Sequence, residues 1–254
     1  DCRRKLSTAV KDYTRAVKLN PDNADAYFKL GAAYQNLGRS QVGNRQYEIA
    51  VSYSTLQDDL ALEALNSLIL ESSKNRNPER AKTWFEQCDE RFKEKVEWQK
   101  QCHLDDVASA YLQQKKFDDI SALLFNRFTT DRFPQASNGR DYQQRRYRLL
   151  IYLAWALLEQ KNTTFAKTVL DEAIALDQST PQDQQSPISR CLYARFLEES
   201  QAASAEPFTS EADRDAIRVA WEQCRQNNLL KTEDEVYWYN ISTKRLSAMR
   251  EPEP

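Results

Sequence analysis

The chain has 254 residues, with Lys+Arg 36 set against Asp+Glu 38 for a net charge of -2. Charges that nearly cancel give no uniform field to draw in a polyanion, and Gly 4 and Pro 8 among long runs of helix formers describe an α-helical protein. No apolar run reaches the roughly 18 residues of a membrane helix, the most apolar being Leu149 to Leu158 between Arg148 and Glu159, and no alternating β-branched stretch predicts a strand.

The first predicted element is a basic helix carrying Arg3, Arg4, Lys5, Lys11, Arg15 and Lys18. Along it Ala9, Tyr13 and Ala16 are followed by Pro21, which stops the helix. From Ala24 to Ala50 the residues Tyr27, Leu30, Gly31, Tyr34, Gly38, Gly43, Tyr47 and Ala50 take the spacings of two short amphipathic helices that lock together. A small residue such as Gly31 lets the two backbones approach, so Gly31→Glu is expected to fail on sterics. This stretch resembles a tetratricopeptide repeat (TPR), a helix–turn–helix unit of about 34 residues. The resemblance makes the opening helix the second helix of an earlier repeat, with a first helix expected upstream in a longer protein.

Later segments repeat the pattern more loosely. A third unit, from about Leu62 to Cys88, uses Leu65, Leu68 and Ile69, then Ala81, Phe85 and Cys88. Asn75 to Pro78 forms its turn, with Pro78 placed to start the second helix. A fourth unit has Leu104, Val107, Ala108 and Tyr111, then Phe117, Ile120 and Leu124. A loop over residues 129–141, rich in turn formers, interrupts the array. It resumes with Leu150, Leu153, Ala154, Leu157, Ala166, Leu170 and Ala173, ending at Pro181. A sixth unit pairs Cys191 to Glu199 with a helix holding Ile217, Trp221 and Cys224, across a loop from Gln201 to Asp213. Glu233 to Met249, with Trp238, Tyr239, Ile241 and Leu246, is expected to cap the stack, and 250–254 to be a disordered tail. The expected fold is all-α, a right-handed α-α superhelix of about six helix pairs plus a capping helix, in blocks 1–128 and 142–249.

The resemblance implies partner binding along the face lined by the first helix of each pair. Carried over by spacing, that groove is lined by Asp25, Phe28, Ala32 and Asn36, then Glu63, Asn66, Leu70 and Lys74. Cys102, Asp105, Ser109 and Gln113 follow, then Arg148, Ile151, Trp155 and Glu159. Family members that clamp a chaperone's C-terminal carboxylates use Lys, Asn and Arg where this chain has Phe28, Ala32, Glu63 and Ser67, so that ligand is not expected. Phe28, Leu70, Ile151 and Trp155 are the candidate apolar anchors for a helix or extended peptide. For Ile151 and Trp155 burial by a neighbouring helix is the alternative, since Leu149 to Leu158 is apolar on every face. Arg140, Arg145, Arg146 and Arg148 form a possible patch for an acidic or phosphorylated segment, or a solvated helix start.

Chemistry is thin. His103 is the only histidine, and Cys102 and His103, adjacent on a helix, point about 100° apart. No Gly-rich phosphate loop is present, so neither catalysis, cofactor, metal nor small-molecule substrate is expected. The five cysteines form an odd set without a CxxC pair, which argues against a disulfide framework and for a reducing, cytoplasmic setting. Cys88 and Cys224 are expected as small core residues. The function expected is a scaffold or adaptor that binds a protein partner. Alternatives are an RNA-binding surface using Arg140 to Arg148 with Tyr142 and Tyr147 for stacking, or the regulatory module of a larger enzyme or complex.

Overall fold

A computed structural model describes residues 2–95, 101–129, 140–179, 186–203, 211–226 and 232–249, without the side chains of 140–142. Among the described residues the chain forms twelve helices and no strand. In chain order these are α1 (Cys2–Leu19), α2 (Ala24–Asn36), α3 (Ser40–Tyr53), α4 (Asp58–Lys74), α5 (Pro78–Arg91) and α6 (Leu104–Gln113). There follow α7 (Phe117–Thr129), α8 (Arg140–Glu159), α9 (Thr163–Gln178), α10 (Ile188–Ala202), α11 (Glu211–Arg225) and α12 (Glu233–Met249). Within each of its two units the helices stack as an α-α solenoid of TPR type. Most of the predicted 129–141 loop, the predicted stop at Pro181, the centre of the Gln201 to Asp213 loop and the tail lie outside the described residues.

Two compact units divide the chain, residues 1–115 and 116–254. In the first, each helix packs on the next in sequence, and α2, α4 and α6 also touch in turn. The second repeats the arrangement, with α8, α10 and α12 as its line of next-but-one neighbours. Helix α7, predicted as the partner of α6, packs on α8 and belongs to the second unit. Contacts confined to adjacent and next-but-one helices are what stacked repeats produce, because no single helix pair buries its apolar stripe alone.

The starts and stops follow from local chemistry. Asn23, Asn77 and Asn162 cap α2, α5 and α9 by accepting from the backbone N–H of Ala26, Arg80 and Phe165. Pro78 opens α5, where its missing N–H costs nothing. Three within-pair turns reverse through one left-handed residue each, Gly38 (φ 75), Arg76 (φ 53) and Lys161 (φ 60), and Lys115 (φ 56) takes the same conformation after α6. After α2, the Arg39 N–H donates to the Tyr34 C=O at 2.9 Å and the Gly38 N–H to the Gln35 C=O at 2.9 Å. Asn77 to Ser72 and Asn162 to Leu157 repeat the longer bond at 2.9 and 2.8 Å, so the turns share one helix-ending geometry. Only the first uses glycine.

The predicted core is the observed one in most repeats. Leu65, Leu68, Ile69, Ala81, Phe85 and Cys88 are buried, as are Leu150, Leu153, Ala154, Leu157, Ala166, Leu170 and Ala173. Between α2 and α3 the fit is tight: a Cβ on Gly31 would lie 2.8 Å from the Tyr47 ring, and one on Gly43 would lie 2.9 Å from the Gly31 C=O. No residue of α1 is buried.

Candidate binding faces

The first-unit face is lined by α2, α4 and α6. Phe28 and Ala32 are half-buried, packed against the cluster of Tyr47, Ala50, Ala64 and Leu68, with the Phe28 and Tyr47 rings 5.4 Å apart. Asp25 is exposed and pairs with Lys29 at 2.7 Å. Asn36, Glu63, Lys74 and Gln113 are exposed, and Leu70 and Ser109 half-buried. Lys74 pairs with Glu71 at 3.1 Å, and Asn36 caps its own helix by donating to the Ala32 C=O.

Three predicted groove residues of this unit serve packing instead, among them Cys102, which is buried. Asp105 is buried. Asn66 donates to the Gln101 C=O at 3.1 Å and accepts from the His103 N–H at 3.0 Å, pinning the segment that leads into α6 to α4. His103 turns to Asp106, its Nδ1 2.9 Å from the carboxylate.

In the second unit the predicted anchors are covered. Ile151 and Trp155 are 2 % and 7 % exposed, which corrects their assignment to an open groove. Trp155 stacks on Tyr237 at 5.5 Å and meets Trp238 edge-on at 5.0 Å, so α12 covers this part of α8. Trp155 Nε1 donates to Glu159, which also receives Arg195 of α10 at 2.6 Å, and Arg195 continues to Glu199 at 2.8 Å. Burial alone would push the Glu159 carboxyl up, but the hydrogen bond and charge of Arg195 outweigh it and hold Glu159 below its ordinary value.

The arginine run does not form one patch. Arg146 is ion-paired with Glu172 of α9, Arg145 is half-buried, Arg148 is exposed, and the Arg140 side chain lies outside those described. Tyr147, a proposed stacking residue, has its hydroxyl enclosed: it donates to the Ser186 C=O at 3.3 Å and accepts from the Ser189 N–H at 3.2 Å. Burial pushes that hydroxyl well above the usual tyrosine value. Its ring is therefore committed to the α8–α10 junction, not to a base.

Residues 4–38, covering α1 and α2, match the family model described as TPR repeat. A tetratricopeptide repeat therefore lies within residues 4–38. Among solved structures it is similar to BtubC (BKLC) from P. vanneervenii, with 14% identity, a TM-score of 0.49, and coverage of 99% of this chain and 93% of that one. Comparison with curated proteins gives no match.

Set on the repeats, the cysteines depart from expectation. Cys88 on α5 is bonded to Cys102 just ahead of α6, and Cys191 on α10 to Cys224 on α11. Cys2 is the free, exposed one. The odd count thus hid two pairs and one remainder, which removes the ground for expecting a reducing compartment. Cys88 and Cys224 do occupy the small core positions of their second helices, and it is that close helix approach which brings each within reach of a partner. No residue spacing signals this pairing, since the partners stand 14 and 33 positions apart on different elements. No described helix is long and apolar enough to cross a membrane. Among the described residues no group of His, Cys, Asp and Glu is placed to hold a metal ion.

Proposed function

We propose that the chain is a protein-interaction scaffold whose first unit receives a peptide or helix of a partner across α2, α4 and α6, acting by binding and not by catalysis. TPR repeats support an interaction role in general. The observation that carries the choice of face is the contrast between the units. Phe28 and Leu70 stay half-exposed among Asp25, Asn36, Glu63, Lys74 and Gln113, whereas Ile151 and Trp155 at the matching places of the second unit are buried under α12. Half-exposed apolar anchors inside a polar rim are where binding energy concentrates. A site for an acidic segment at Arg145 and Arg148 is a weaker rival, because Arg146 is already bound to Glu172.

The test is selection of binders from a displayed library of short peptides on the whole chain, followed by affinity measurements with Leu70→Ala and Glu63→Arg. Both substitutions should weaken the selected peptides by at least about tenfold, or 1.4 kcal/mol, with the circular dichroism spectrum unchanged. Peptides that bind both variants as tightly as the wild type would place binding elsewhere.

A further inference from the structure

The two disulfides stand in different surroundings. Cys191 and Cys224 are 0 % and 2 % exposed and both sit within helices, joining α10 to α11. Cys102 is 5 % exposed and lies outside a helix, between exposed Gln101 and half-buried His103. Its partner Cys88 is fully buried on α5. An external thiolate must reach a sulfur to exchange with it. A short opening of residues 101–103 exposes the Cys102 sulfur, whereas the other bond requires two packed helices to separate.

That same short segment governs how α6 joins the first-unit face. The disulfide ties it to α5, and Asn66 ties it to α4 through Gln101 and His103. Further along, Ser73 donates to the Asp106 C=O at 2.8 Å, and the Tyr111 hydroxyl donates to Glu79 at 3.1 Å. Helix α6 is only 10 residues long, too short to persist without its neighbours. At its N-terminal end the covalent link is a fastener that a reductant can remove without changing the sequence.

We propose that Cys88–Cys102 is a redox-sensitive clasp that sets whether α6 completes the partner-binding face of the first unit, while Cys191–Cys224 is a permanent staple of the second. The part concerning the partner rests on the function proposed above. In the opening step a dithiol attacks the Cys102 sulfur and breaks the Sγ–Sγ bond. Two electrons and two protons pass to Cys88 and Cys102, which become thiols, and the dithiol closes into its own disulfide. Reoxidation by a small disulfide reverses the exchange.

The full oxidised chain is titrated with dithiothreitol. Free thiols are trapped with iodoacetamide and located by peptide mass mapping, and backbone amide exchange is followed on the same samples. Cys88 and Cys102 should label at least about tenfold faster than Cys191 and Cys224. Amides of residues 104–113 should then lose at least about tenfold in protection while those of 149–178 keep theirs. The double variant Cys88→Ser, Cys102→Ser should show the faster exchange before any reductant is added. Equal labelling of the two pairs, labelling of all four thiols without reductant, or unchanged exchange over 104–113 once the first pair is labelled would each overturn the clasp. Library-selected peptides are measured separately against the oxidised and reduced chain. Equal affinity in both states would overturn its control of the face and leave the scaffold standing. If no peptide binds in either state but exchange responds, the clasp stands and the scaffold fails.

Discussion

Gly31 and Gly43 are where one missing atom decides the packing of a repeat. A Cβ on Gly31 meets Tyr47 at 2.8 Å, and Tyr47 cannot retreat because it is buried in the α2–α3–α4 cluster. Gly31→Ala should therefore cost about 1–3 kcal/mol by overpacking, seen as a lower urea midpoint. Gly38→Asn, with open space around it and a φ of 75 that asparagine tolerates, should stay within about 0.5 kcal/mol. Trp155→Ala removes a buried ring between α8 and α12 and should cost about 3–5 kcal/mol, whereas Tyr237→Ala on the exposed side of the same stack should cost far less. Glu159 contributes to the pH dependence. Its folded pKa is held below the unfolded value, so its contribution is fully present above about pH 4.3 and is lost as pH falls through the folded value. Glu159→Gln should lower stability at neutral pH and converge on the wild type in acid, and parallel unfolding curves at all pH values would contradict the Arg195 pairing.

At the scale of elements, the sequence was most legible where chemistry is local. Periodicity placed α2 to α5, α9 and α12, and Pro78 marked a start, because each depends on residues within one turn. The turns were less legible after the first. Arg76, Lys115 and Lys161 take the left-handed conformation that glycine announces at Gly38, with the surrounding hydrogen bonds imposing it. Helix α12 starts with a reciprocal cap: Thr232 Oγ1 accepts from the Glu235 N–H at 3.2 Å, and Glu235 accepts from the Thr232 N–H at 3.1 Å. Glu235 also receives the Ser186 hydroxyl at 2.9 Å. Thr232→Ala should thus cost about 1 kcal/mol, and amide exchange should show the loss in the first turn of α12 before the rest of the second unit. The face residues were only half legible. Spacing fixes the phase of a helix but not which neighbour lies over it, so for Trp155 and Ile151 an open groove and burial by a neighbouring helix read equally well until α12 was in place. The cysteine pairs were not legible at all, since they need the separation of two helices and not a pattern along one.

For the molecule as a whole, the two units use one repeat plan to different ends. The second closes its line of first helices with aromatic stacking and the Glu159–Arg195–Glu199 chain. The first leaves a mixed, half-exposed face and fastens its last helix with a disulfide. On the proposed function, binding belongs to the first unit. That is tested most directly by isothermal titration of a library-selected peptide against the whole chain carrying either Glu63→Arg with Lys74→Glu, or Arg148→Glu. A loss of at least about tenfold is expected for the first-unit pair, with no change for Arg148→Glu. Retained affinity in the first-unit pair, with loss in Arg148→Glu, would contradict it and move the partner to the second unit.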